Sequence, residues 1–274
     1  MGTVTTLALF EAKVHIRNRW VLVFALVFGC TAVAIAAFGL VTAGVAGFQG
    51  FARTTASLLN LALYVIPLVS LMMGTMSFAG EKHASELLFV QPIAREHIVW
   101  GKLLGLWLAI AMATGFGFGV AGMIIAVRMG GAGVTRYVLF VGLASLLALA
   151  FLALGILVAI AGGRKPRAFG YALFLWFFFV LFYDLLAIGL TFLLPEPIAN
   201  RFVFLSLFGN PVDLVRVSGF MMLDSPAIFG AAGVMLVKFF GGEGRAHAAV
   251  LVGTILWGIL PAWLAQRLLR RQDI

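Results

Sequence analysis

Six uninterrupted apolar stretches, at about 20–42, 57–79, 103–127, 137–161, 169–194 and 248–265, limit what this chain can fold into. The first five exceed the roughly 20 residues that cross a hydrocarbon core as a helix. The sixth is shorter and is rimmed by Arg267, Arg270 and Arg271. None alternates with period two, so helices are expected and not a barrel. With 63% hydrophobic and 11% charged residues, nothing remains for a separate soluble domain. The expectation is an all-α membrane protein, one domain over 1–274 with six transmembrane helices. Two shorter apolar runs, 198–208 and 227–240, suit interfacial or re-entrant segments within a long loop at 195–247.

The net charge of +9 sits in the connections. Lys13, Arg17 and Arg19; Lys82, Arg95 and Lys102; Arg164, Lys165 and Arg167; and Arg267, Arg270 and Arg271 place three cations in each of four segments on one side. The other side is sparser for its length, which puts both termini in the cytoplasm and the long loop outside. No basic stripe exists apart from these loops, so nucleic acid is not an expected partner.

The chain lacks catalytic signatures. Gly101-Lys102 is followed by Leu103 with no phosphate-loop glycine before it, so the chain is not expected to hydrolyse ATP alone. There is no zinc-protease motif, nucleophile elbow or carboxylate pair. The single cysteine, Cys30, reads as a packing residue, and Met72 and Met76 as fillers between helices. No metal site is expected. Gly115 and Gly119 have the small-xxx-small spacing of close helix packing.

The segment 80–102 is the most informative connection. Glu81, Glu86, Leu87, Leu88, Pro92, Arg95 and Lys102 mix charge with leucine, and Ser85 is placed to cap a short helix that Pro92 must follow. This pattern resembles the ABC-2-type permeases, with Ser85-Glu86 where many members carry Gly-Thr. The resemblance implies a type V exporter fold in which 80–102 carries a cytoplasmic coupling helix seated in an ATPase subunit. It also implies that 1–19, with Glu11, Arg17 and Arg19, is an interface helix at the membrane surface.

Two further features narrow the likeness. Asp184 stands near the middle of the fifth stretch, where a carboxylate costs several kcal/mol unless protonated, paired or wetted. Beyond it come Asn210, Pro211, Asp213 and Arg216. Asn-Pro favours a turn, and Asp213 and Arg216 have the i, i+3 spacing of a local salt bridge. With Arg17-Asn18-Arg19-Trp20, these resemble the permeases of nitrous oxide reductase maturation transporters over nearly the whole chain. That likeness implies a homodimer in the bacterial inner membrane, two cytoplasmic ATPase subunits that bind ATP and magnesium, and a periplasmic β-helical accessory protein. This chain itself would bind membrane lipid and no cofactor. Asp184 would line the path or gate, and Asn210 to Arg216 a partner platform or gate. Two other readings stand beside it: a generic ABC-2 exporter of lipid, drug or ion, and an ion-coupled carrier with Asp184 as its proton site.

Overall fold

The computed structural model describes residues 2–46, 49–79, 94–129, 134–222 and 236–271. These form helices joined by short links, with no strand among the described residues. In chain order they are α1 (Thr3–Ile16), α2 (Arg19–Ala46), α3 (Gln49–Ala79), α4 (Arg95–Met129), α5 (Val134–Gly162), α6 (Lys165–Phe177), α7 (Tyr183–Leu193), α8 (Glu196–Phe208), α9 (Pro211–Met222) and α10 (Glu243–Arg271). Five residues of π-helix, Phe178–Phe182, join α6 to α7 into one long rod. Residues 236–240 are also helical. Six of these helices are long and apolar enough to cross a membrane: α2, α3, α4, α5, the α6–α7 rod and α10.

The helices start where local chemistry lets them. The Asn18 carboxamide oxygen accepts from Trp20 N at 2.9 Å and caps α2 two residues after α1 ends. The segment 1–19 is therefore a helix, a break and the first residue of the next helix, Arg19. Pro211 opens α9, where its missing N–H costs nothing.

The hub is α5. Its central stretch is 78% buried, against 11% for the α6–α7 rod. It packs on α3, α4, α6, α9 and α10. Its closest approach is to α3, where Gly74 and Gly155 lie face to face: a Cβ on either would come 2.5 Å from a backbone carbonyl of the other helix. Thr75 Oγ1 donates to Gly155 O there, at 3.3 Å. Packing and hydrogen bonds hold helices together in lipid, where hydrophobic burial contributes little.

Among the described residues, a Cβ on Gly115 or Gly119 would meet no other helix of this chain, since both line an open groove of about 580 Å³ between α4 and α5. The glycine between them, Gly117, makes the close approach, against Gly29 and Phe28 of α2. Cys30 is exposed on α2, not packed. The stretch 198–208 lies within α8, and the anticipated turn at Asn210-Pro211 is the start of the twelve-residue α9. Residues 227–235 lie outside the described residues.

Candidate functional site: two polar clusters at opposite ends of the bundle

The apolar bundle concentrates its buried charge in two places. One lies where the α6–α7 rod meets α9. The other lies where α1 meets α4, near both chain termini.

At the first, Asn210 is the organising residue. It is fully buried, and its side-chain oxygen accepts from Val212 N at 3.0 Å, capping α9. Its side-chain nitrogen donates to Phe179 O at 2.9 Å and to Asp213 Oδ2 at 3.0 Å. Phe179 belongs to the π segment, where Tyr183 N–H bonds Phe178 O five residues back. A π turn carries an extra residue and perturbs the carbonyls around it. Asn210 meets one of them with a donor, so the bulge and the start of α9 hold each other.

Arg216 lies about one and a half turns further along α9. Its Nη1 donates to Asp184 Oδ2 at 2.5 Å, and it lies 2.9 Å from Asp213 Oδ1 as an ion pair without hydrogen-bond alignment. Tyr183, beside Asp184, donates to Ser206 O of α8 at 2.6 Å. Gly209 permits this, since a Cβ there would strike the Tyr183 hydroxyl. Both α9 and the end of α8 are pinned to α10: Ser218 Oγ lies 2.8 Å from His247 Nδ1, and Trp257 donates to Phe208 O at 3.0 Å. By contrast, α7 buries no residue. Asp184 is thus a paired carboxylate. The predicted local pair of Asp213 with Arg216 is present, and it reaches across to the fifth span.

The second cluster joins α1 to α4. Glu11 is buried; its Oε2 lies 3.3 Å from His15 Nδ1 and its Oε1 3.8 Å from Lys102 Nζ. Lys102 Nζ also donates to Ser77 O at 3.0 Å, at the end of α3. Small residues allow this closeness: a Cβ on Gly105 would meet Glu11 and Ala8 O. Burial on its own would raise the Glu11 carboxyl, but the His15 hydrogen bond, then the charges of Lys102 and His15, outweigh it and hold it below its ordinary value. Burial would lower the His15 imidazole, yet its hydrogen bonds and charge contact with Glu11 prevail over Lys102 and raise it. Nearby, Glu96 at the start of α4 pairs with Arg270 and accepts from Gln266 at 3.1 Å, and Trp100 donates to Gln266 at 2.9 Å.

The residues singled out in the sequence separate accordingly. Asp184, Asn210, Pro211, Asp213 and Arg216 converge. Glu11 joins the second cluster. Lys102 does so too, and here the reading is corrected: it lies two turns into α4 and buried, not in the loop, because the helix begins at Arg95. Arg17 terminates α1 and Arg19 opens α2, both exposed. Glu81, Glu86, Leu87, Leu88 and Pro92 lie outside the described residues. His15, Ser77, Glu96, Tyr183 and Gln266 had no part in the sequence reading of the site, and Arg270 entered it only as an orienting cation. The i, i+4 spacing of Glu11 and His15 was a usable signal; contacts such as Glu96 with Arg270, 174 residues apart, have none. Among the described residues no group of three or more His, Cys, Asp or Glu is placed to hold a metal.

Six helices long and apolar enough to cross a membrane, with buried charge gathered into two clusters, make a multi-span membrane protein. The model of the ABC-2 family transporter protein matches residues 5–273, and the chain belongs to that family, as a permease subunit whose partner is an ATPase. Two similar proteins carry the name "Probable ABC transporter permease protein NosY". That of Pseudomonas aeruginosa is 34% identical over the full length of both chains. That of Stutzerimonas stutzeri is 33% identical over 98% of this chain and 96% of its own.

Proposed function

We propose that this chain is the membrane subunit of an ATP-driven exporter that supports assembly of the copper–sulfur site of nitrous oxide reductase by exporting a sulfur-containing species. The observation that carries this reading is the Asn210–Asp213–Arg216–Asp184 lock. Four of the residues by which the sequence resembles that permease type close span five onto α9, and full-length similarity to proteins of that name supports the reading.

In this reading both termini are cytoplasmic, in the inner membrane. Two copies pair across the exposed α6–α7 rod, each served by a cytoplasmic ATPase that binds ATP and magnesium, while this chain binds neither. The segment 80–102 is the coupling region. ATP binding shifts it, the Glu11–Lys102 and Glu96–Arg270 contacts carry the shift into α1, α4 and α10, and the lock opens at the far end as an outer gate. A periplasmic β-helical protein docks over α8 and α9. The ion-coupled carrier reading loses ground because Asp184 has a guanidinium partner at 2.5 Å.

The test is complementation. In a denitrifying bacterium lacking its own permease gene, this chain with its ATPase should restore the absorption spectrum of the copper–sulfur site in purified reductase, and Asp184→Asn should not. Reductase that still lacks the site, with the permease inserted and ATPase-bound, would leave a generic ABC-2 exporter as the better reading.

A further inference from the structure

The outward face of α1 mixes exposed apolar side chains with cations. Ala8, Glu11 and Ala12 turn inward against α4. Opposite them, Phe10, Lys13, Val14 and Arg17 follow at i, i+3, i+4 and i+7, one stripe on a helix, and Trp20 continues it just past the break. All are exposed; Phe10 and Trp20 keep 62% and 66% of their surfaces. The helix lies against the first turns of α4, next to the start of its apolar stretch at Leu103, and carries the stripe on the side turned away from α4.

The charge of this face is set by the interior. Glu11 is the one carboxylate of α1, and it is withdrawn beneath the helix onto Lys102 and His15. What remains outward is Lys13, Arg17 and neighbouring Arg19, none of them ion-paired among the described residues. Aromatic and aliphatic side chains interleaved with unbalanced cations, at the end of a membrane span, suit the headgroup level of an anionic leaflet, where aromatic rings sit and surface cations are attracted. A second copy of the chain would bring the same cations against themselves.

We propose that the α1 face is a binding site for anionic phospholipid, with the headgroup phosphate held by Lys13, Arg17 and Arg19 and the acyl chain lying on Phe10, Val14 and Trp20. The inward Glu11–Lys102 pair serves this by removing the carboxylate that would repel the phosphate. The inference is independent of the transported cargo.

The full-length protein, equilibrated with equimolar phosphatidylglycerol and phosphatidylcholine and stripped stepwise in detergent, is examined by native mass spectrometry. The wild type is expected to retain phosphatidylglycerol over phosphatidylcholine by about fivefold or more, the factor that even one surface cation contributes. The preference should fade in high salt. Lys13→Gln/Arg17→Gln/Arg19→Gln, all on exposed positions, should retain the two lipids equally, whereas Arg245→Gln, an exposed cation on α10, should keep the preference. Equal retention by the wild type, or an undiminished preference in the triple variant, overturns the proposal. So does a Lys13→Cys/Cys30→Ala protein whose thiol is shielded by the ATPase or by dimerisation and not by phosphatidylglycerol.

Discussion

Arg216 faces two carboxylates, and the three side chains are only partly shielded: Arg216 is 25% exposed, Asp184 34% and Asp213 13%. Removing the cation leaves two acids together, so Arg216→Ala should cost about 2–3 kcal/mol, less than the about 3–5 kcal/mol of a fully enclosed pair. Adding Asp184→Asn and Asp213→Asn should recover most of that stability without recovering export; thermal unfolding in detergent beside a transport assay separates the two. A further single-residue effect comes from the Glu11–His15 contact. The raised His15 contributes stability fully below its ordinary value of 6.5 and loses it as pH rises through its higher folded value. The depressed Glu11 contributes above 4.5 and loses it as pH falls through its lower folded value. Between about pH 5 and 6 both contributions are present. Raising the pH from 6 to 8 should therefore lower the melting temperature of the wild type more than that of His15→Ala, as differential scanning fluorimetry would register.

Among the elements, the π segment absorbs one extra residue and so fixes where α7 points. Inserting an alanine between Phe182 and Tyr183 adds another, which should turn α7 by about 100° and shift it by about 1.5 Å. Asp184 then cannot meet Arg216 while Asn210 still reaches Phe179 O. The insertion variant should enter the membrane normally, since the rod stays long enough to span, yet fail in export; Val180→Ala, which keeps the count, should export normally. The glycine seam makes a different demand. Gly74→Leu should destabilise by about 3 kcal/mol or more, since backbone fills the space, whereas Gly119→Leu, facing the open groove, should be tolerated within about 1 kcal/mol; chemical denaturation of the two variants checks the contrast. Sequence showed the spans but not these details. Long apolar runs mark a crossing whatever they pack on, so the six spans were legible. The choice of Gly117 over Gly115 and Gly119 for the contact with α2 depends on the rotation of two helices, which no spacing rule supplies. The π turn leaves no mark in Phe177 to Phe182, all apolar, and Asn210 became meaningful only when Phe179 O was found beside it.

For the whole molecule, burial is uneven in an informative way. The hub α5 is almost enclosed, while the α6–α7 rod presents Phe174, Leu181, Leu185 and Ile188 outward. If two copies pair on that rod, Leu185→Cys in a Cys30→Ala background should give oxidant-dependent dimers in native membranes, and Met123→Cys, in the α4–α5 groove, should not. Electrophoresis without reductant reads the result.

The lock also bears on how the chain is made. Asp184 and Arg216 are 32 residues apart, and translation proceeds at about 5–20 residues per second. The fifth span is thus synthesised roughly two to six seconds before its neutralising arginine exists. Throughout that interval a carboxylate must be hosted by the insertion machinery, by a proton or by water at the bilayer edge. The span's many phenylalanines and leucines offset this transient burden until α9 supplies the arginine.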